Sequence, residues 1–231
     1  MAVLVTRPER ASAHTAARLA ALGHEALVEP LLDLHFMPPE RLVPPVPDAV
    51  IITSSNGARA VARHPDLAKL IPLPLWTVGA RTSAAARELG FTVRGEAPDA
   101  AGLGALLGAE PEQRFLYIAA ENRSADFAVL APQHIVDVCV VYRATPRAAF
   151  SSETIEALKS GRVTSVLHYS RRLAGTYLIL AEAADIRAEA VKPRHLCLSE
   201  HVAEVLRTVN APEIRVAAEP REDALLALLA G

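Results

Sequence analysis

The sequence predicts an α/β protein of two similar lobes, each a mainly parallel sheet flanked by helices. A two-stranded antiparallel linker joins the lobes, with the active site in the interdomain cleft. Three observations predict this: short apolar runs alternate with helical patterns along all 231 residues, the chain resembles itself in blocks, and two long extended stretches lie at the block junctions. Alternating strand and helix patterns are the signature of largely parallel sheets.

Taken in order, the strand candidates are 2–6, 24–28, 48–53, 75–79, 91–94, 114–119, 135–143, 163–169, 194–198 and 213–217. Helix candidates lie between them, near 9–22, 56–64, 80–89, 99–108, 123–131, 151–160, 171–183, 200–209 and 221–230. Gly23 and Gly90 each follow a helical pattern, where a C-terminal cap is expected.

Self-comparison sets the domain organisation. "VIITSSNGARAV" aligns with "VLHYSRRLAGTY", pairing Ser54 with Ser170; "TVGARTSAAAREL" aligns with "CLSEHVAEVLRTV", pairing Gly79 with Ser199; "VRGEAPDAAGLGALL" aligns with "RVAAEPREDALLALL". A fourth match, "LVTRPERASAHTAARL" with "YIAAENRSADFAVLAP", breaks the order of the other three. Two tandem domains are one solution. The junctions favour another, a discontinuous domain of 1–34 plus 146–231 with a continuous domain at 38–140 inserted into it. "EPLLDLHFM" at 29–37 and the extended run reaching 138–146 would then be opposed linker strands. "MPPERLVPPVP" at 37–47 reads as the lead-in linker, stiffened by prolines. The ligand site would be the cleft between the lobes, at the carboxyl ends of the strands.

Composition narrows the function classes. The chain is 51 % hydrophobic with a net charge of −2 and carries no broad basic footprint, so nucleic acid is not expected as a partner. No apolar run approaches the roughly 20 residues needed to cross a bilayer. "MAVLVTRPER" enters a strand-like run without a signal-peptide pattern, so a cytoplasmic location is expected. Cys139 and Cys197 each sit in an apolar run and read as buried free thiols. There is no HExxH, no close His/Cys cluster, no GxxxxGK[ST], no GxGxxG after a strand and no GxSxG, so neither a metal site nor a phosphate loop nor a nucleophile elbow is expected.

Small polar residues and arginines gather at the predicted strand ends. They are Thr6-Arg7, Thr53-Ser54-Ser55-Asn56, Gly79-Ala80-Arg81-Thr82, Glu121-Asn122-Arg123, Tyr169-Ser170-Arg171-Arg172 and Ser199-Glu200-His201, with Arg59 just beyond. Helix capping alone accounts for any one of these crests. Arginines in first helical turns oppose the helix dipole, however, and forked guanidinium groups suit carboxylates. Tyr142, in "VVYRAT", is the one polar aromatic on the strand expected to cross between lobes, where it becomes a candidate proton donor.

At this point the chain resembles the uroporphyrinogen-III synthase (HemD) family. The matching stretches are "VLVTRPERA" with "LGHEALVEPLL", "DAVIITSSNGARAV", "VGARTSAAARELGF", "VVYRA", "VLHYSRRLA", "CLSEHVAEVL" and "AAEPREDALLALL", which occur in the family's order and cover nearly the whole chain. The resemblance implies a lyase that cyclises hydroxymethylbilane to uroporphyrinogen III in haem biosynthesis, with loss of water and inversion of ring D through a spiro intermediate. It implies no metal and no cofactor, a monomer, and a substrate handed over from hydroxymethylbilane synthase. It matches Tyr142 to the family's favoured acid, Thr82 and Ser170 to its cleft threonine and serine, and Thr53, Ser54 and Ser55 to its polar strand end. Thr6, Arg7, Gly79, Arg123 and Ser199 complete the expected substrate-binding set. Where many members carry a glycine and a threonine, this chain has Ser199-Glu200-His201-Val202, which leaves the role of His201 open. The rival readings are a non-catalytic two-lobed binding or sensing protein and a nucleotide- or flavin-binding enzyme of flavodoxin type.

Overall fold

A computed structural model describes residues 1–42, 46–123 and 125–230, so 43–45 of the proline-rich linker lie outside the described residues. In chain order the elements are β1 (Ala2–Val5), α1 (Glu9–Ala21), β2 (Glu25–Val28), β3 (Leu32–Phe36), β4 (Ala49–Ile52), α2 (Ser55–Val61), α3 (Leu67–Leu70), β5 (Leu75–Val78), α4 (Ala80–Glu88) and β6 (Val93–Ala97). There follow α5 (Ala100–Gly108), β7 (Arg114–Ala120), α6 (Phe127–Leu130), β8 (Ile135–Pro146), α7 (Ser152–Lys159), β9 (Val163–His168), α8 (Arg171–Ala183), α9 (Arg187–Ala190), β10 (Arg194–Cys197), α10 (Glu200–Arg207), β11 (Ile214–Val216), α11 (Glu222–Ala227) and a closing 3-10 turn.

The chain divides into two compact units, Met1–Asp33 with Thr145–Gly231, and Leu34–Ala144. In the first unit five strands run β11-β10-β9-β1-β2, all parallel. In the second the order is β3-β8-β7-β4-β5-β6, with every pair from β8 to β6 parallel. β7 and β8 take the places that β1 and β2 hold in the first sheet, and β4, β5 and β6 take those of β9, β10 and β11. The matched residues Ser54 and Ser170 accordingly occupy the same position, each accepting a backbone N–H at the start of the helix that follows its strand.

Both faces of each sheet are covered, which is why the central strands read as unbroken apolar runs. In the first unit Val3, Val5, Leu167, Leu196 and Leu225 pack on one face, while Ala174, Cys197, Val202 and Leu206 pack on the other. In the second unit, Val50 and Ile52 face the α2 and α4 side with Val61 and Ala86, while Ala49 and Ile51 face Leu103, Phe115, Tyr117 and Phe127. Cys139 and Cys197 are buried and free, as expected.

The sixth strand runs from Val93 to Ala97 and not over 91–94, and Gly95 is the reason it can. A Cβ there would lie 2.2 Å from the Trp76 ring on β5, so only glycine lets the indole lie across β6. Gly95→Ala is expected to destabilise the second unit by about 3 kcal/mol, the upper end of typical overpacking costs. The measurement is the urea unfolding midpoint, and an unchanged midpoint would show that Trp76 has room to move.

Candidate functional site

Parallel strands bring their carboxyl ends to one edge of a sheet, so each unit gathers its crest residues along a single edge. In the second unit this edge holds two tyrosines, each paired with one of two successive crest residues. Thr53 and Ser54 leave β4 with opposite parity, and their side chains face opposite sides of the sheet. On one side the Thr53 hydroxyl lies 3.0 Å from the Tyr117 hydroxyl, and the Tyr117 ring packs edge-on against Phe127 at 5.1 Å. On the other side the Ser54 hydroxyl faces the phenol of Tyr142. The oxygen of Ser54 also accepts from Asn56 N–H at 3.2 Å, so one side chain caps α2 and meets Tyr142.

Tyr142 reaches this position through an irregularity in β8. The β7–β8 register pairs Ala119 with Val140 but Ala120 with Tyr142, leaving Val141 as an extra residue. Cys139, Val141 and Tyr142 then all pack in one cluster, which strict alternation forbids. The bulge re-aims the tyrosine. Its side chain is 8 % exposed. Burial pushes the phenol above its ordinary pKa, and the Ser54 hydroxyl recovers only part of that shift, so the proton stays on. Tyr117 is raised for the same reason, with the Thr53 hydroxyl and the Arg123 charge opposing the rise and Tyr142 adding to it. Phe36 of β3 packs against Tyr142 at 6.5 Å, and the Arg59 guanidinium lies 5.3 Å over the Phe36 ring.

In the first unit the equivalent edge is closed by a carboxylate. Glu222, at the start of α11, accepts from Arg7 Nη1 at 2.8 Å, from Thr15 Oγ1 at 2.6 Å and from the Tyr169 hydroxyl at 2.7 Å, all on Oε1; Arg18 reaches Oε2 at 3.3 Å. Arg7 also stacks on the Tyr169 ring at 4.0 Å. Burial would push the Glu222 carboxyl up, but these hydrogen bonds and the Arg7 and Arg18 charges outweigh it and hold the group below its usual range. Arg7 is thus already neutralised inside its own unit. Arg171 is likewise paired, with Glu204 at 2.8 Å.

The other expected site residues divide into occupied and available groups. Thr6 is fully buried, and its hydroxyl donates its one hydrogen to Leu167 O at 3.0 Å, so it bridges β1 and β9. Ser170 accepts from Leu173 N–H at the start of α8. Gly79 adopts φ +79 at the start of α4, a conformation that disfavours any other residue, and Thr82 is buried in the first turn that follows. Ser55 opens α2 and is half-buried, and Arg123 is exposed. Ser199 stands at the start of α10 without a side-chain cap bond. His201 lies on the exposed surface of α10, with Nδ1 3.4 Å from Glu204 Oε2. Sequence patterns do not single out Tyr117, Phe36 or Glu222: Tyr117 reads as a core residue of "FLYIAA", and Glu222 as a helix-start acid. Among the described residues no group of three or more His, Cys, Asp or Glu side chains is placed to hold a metal ion, and no helix is long and apolar enough to cross a membrane.

A family model described as uroporphyrinogen-III synthase HemD matches residues 13–227. The fold is similar to that of uroporphyrinogen-III synthetase from Helicobacter pylori 26695, with a TM-score of 0.69 and 17 % identity over 99 % of this chain and 98 % of that one. It is also similar to a mutant uroporphyrinogen III synthase from the extremely thermophilic bacterium Thermus thermophilus, with a TM-score of 0.59 and 19 % identity over 100 % and 98 % of the two chains. At such identities the likeness of these structures concerns the fold alone. No match was found among curated proteins.

Proposed function

The chain belongs to the uroporphyrinogen-III synthase family, whose members cyclise hydroxymethylbilane in haem biosynthesis, and we propose that Tyr142 supplies the proton that starts this reaction here. One observation supports that role: the bulge at Val141 turns a buried, firmly protonated phenol to the side of β4 where the Ser54 hydroxyl meets it.

The hydroxyl of the hydroxymethyl group leaves as water when the Tyr142 proton joins the departing hydroxide, and the pyrrole nitrogen lone pair supplies the electrons that turn the remaining methylene carbon into an azafulvene. The substituted carbon of ring D attacks this electron-poor carbon and gives a spiro intermediate. Breaking the older bond to ring D regenerates an azafulvene on ring C. The free carbon of ring D then closes the macrocycle and loses a proton, which restores the Tyr142 phenol. Much of the driving force is intrinsic to the pyrroles, and unguided closure gives isomer I. Shape and positioning are the protein's main contribution.

The substrate's acetate and propionate groups are taken up by dispersed donors. Thr53, Ser54, Ser55, Gly79, Thr82 and Arg123 of the second unit serve this role, with Ser170 and Ser199 of the first. The enzyme acts as a cytoplasmic monomer that receives its unstable substrate from hydroxymethylbilane synthase. The test supplies porphobilinogen and its deaminase, adds this protein, oxidises the product and determines the isomer ratio. Isomer III is expected to predominate. Isomer I in the presence of folded protein would end this reading.

A further inference from the structure

We propose that Arg59, oriented by Phe36, holds one substrate carboxylate beside Tyr142; this rests on the synthase reading above and adds a binding residue to that same site. Arg59 differs from the arginines of the first unit in what it touches. Arg7 and Arg171 are tied to Glu222 and Glu204. The Arg59 guanidinium instead meets Asn56 Oδ1 at 3.2 Å and the face of Phe36 at 5.3 Å, and no carboxylate pairs with it among the described residues. It is half-buried, so its charge is partly removed from water without compensation.

Only one of the guanidinium's donors has a side-chain acceptor among the described residues. A cation–π contact with the Phe36 ring, 5.3 Å from the guanidinium carbon, uses none of the five N–H donors. The neutral Asn56 oxygen takes one donor from Nη1 and cancels no charge. The remaining donors suit a bidentate carboxylate. Phe36 ties this group to the reaction centre, since its ring lies 6.5 Å from the Tyr142 ring and is itself 43 % exposed, an apolar surface on which a pyrrole can rest. A pyrrole whose side-chain carboxylate is held by Arg59 would therefore lie against Phe36, within reach of the phenol that expels the hydroxyl.

The experiment is steady-state kinetics with substrate generated by the deaminase, together with thermal unfolding. Loss of a charge-assisted hydrogen bond corresponds to about 10-fold or more in affinity, so Arg59→Gln is expected to raise KM by about that factor with kcat within about 3-fold of the parent. Arg59→Lys should recover part of the loss, and the salt dependence of KM should weaken in Arg59→Gln. Phe36→Leu should raise KM less than Arg59→Gln, because the charge remains. If the parent makes isomer III and KM is unchanged in Arg59→Gln, the carboxylate role is overturned while the synthase reading stands. A fall in kcat alone would overturn it too. If the parent makes only isomer I, it is the synthase reading that falls.

Discussion

Tyr142→Phe is expected to lower kcat about 100-fold, the lower end of what a positioned general acid contributes, with KM nearly unchanged. The substitution removes a hydroxyl and nothing else. The ring still packs with Cys139, Val141 and Phe36, and Ser54 still accepts from Asn56 N–H, so the unfolding free energy should change by only about 1 kcal/mol, the net value of one hydrogen bond. Because burial raises the phenol above its ordinary value of 10.0, the parent enzyme should show no alkaline loss of activity from this residue below about pH 10. Single-turnover kinetics with freshly generated substrate, paired with a thermal melt, separates the outcomes. In the variant, uncatalysed closure should overtake the slowed enzyme and shift the product toward isomer I. A folded variant turning over at the parental rate would remove the proton-donor role and leave backbone amides as the main agents.

The contrast between the two crests shows what a sequence does and does not carry. The α/β class is readable because "AVLV" and "AVII" are buried on every residue, so parallel strands appear as bare apolar runs between helical patterns. α3 and α9, at four residues each, are too short to display a period and leave no mark in the pattern. Capping roles are also local enough to read, and both Ser54 and Ser170 cap the helices expected of them. Pairings between distant residues are not. Arg7 is expected from sequence to meet substrate, but its partner Glu222 stands 215 positions away in the chain, and nothing near either residue announces the other. The bulge that aims Tyr142 is equally silent, since Val140, Val141 and Tyr142 give a uniform β pattern whichever residue is left unpaired. Tyr117 looks like core because it is core; only the 3.0 Å approach of Thr53 reveals the use of its hydroxyl.

The second large effect concerns the buried pair His168 and His195, whose neutrality ties the stability of the first unit to pH. They stand on adjacent strands, fully buried, with His168 Nε2 3.0 Å from His195 Nδ1 and the Tyr177 ring edge-on to both. One nitrogen donates and the other accepts, so a proton added to the accepting nitrogen breaks the bond between the rings. Neither outer nitrogen has a well-aligned partner, although the backbone at Val191 and Ala190 favours the charged form of His195 slightly. Burial lowers His195 to about 4, and burial together with the His195 charge lowers His168 well below 6.5. The unfolded chain therefore binds more protons than the folded one between these limits, so the stability is fully present above about pH 6.5 and is lost as pH falls toward 4. For His195 alone a drop from 6.5 to about 4 corresponds to about 3 kcal/mol, and His168 adds in the same direction. Urea midpoints measured between about pH 7.5 and 5 should fall steeply in the parent, within a window that lies above the pH at which Glu222 and Asp223, both held below their usual range, begin to protonate. The double variant His168→Leu/His195→Gln should flatten that slope, even if its midpoint at about pH 7.5 is lower. Proton NMR of the parent gives an independent reading, with two imidazoles expected to stay neutral down to about pH 5. Two further imidazole titrations near pH 6.5, or a double variant as pH-sensitive as the parent, would show that the pair does not store this energy.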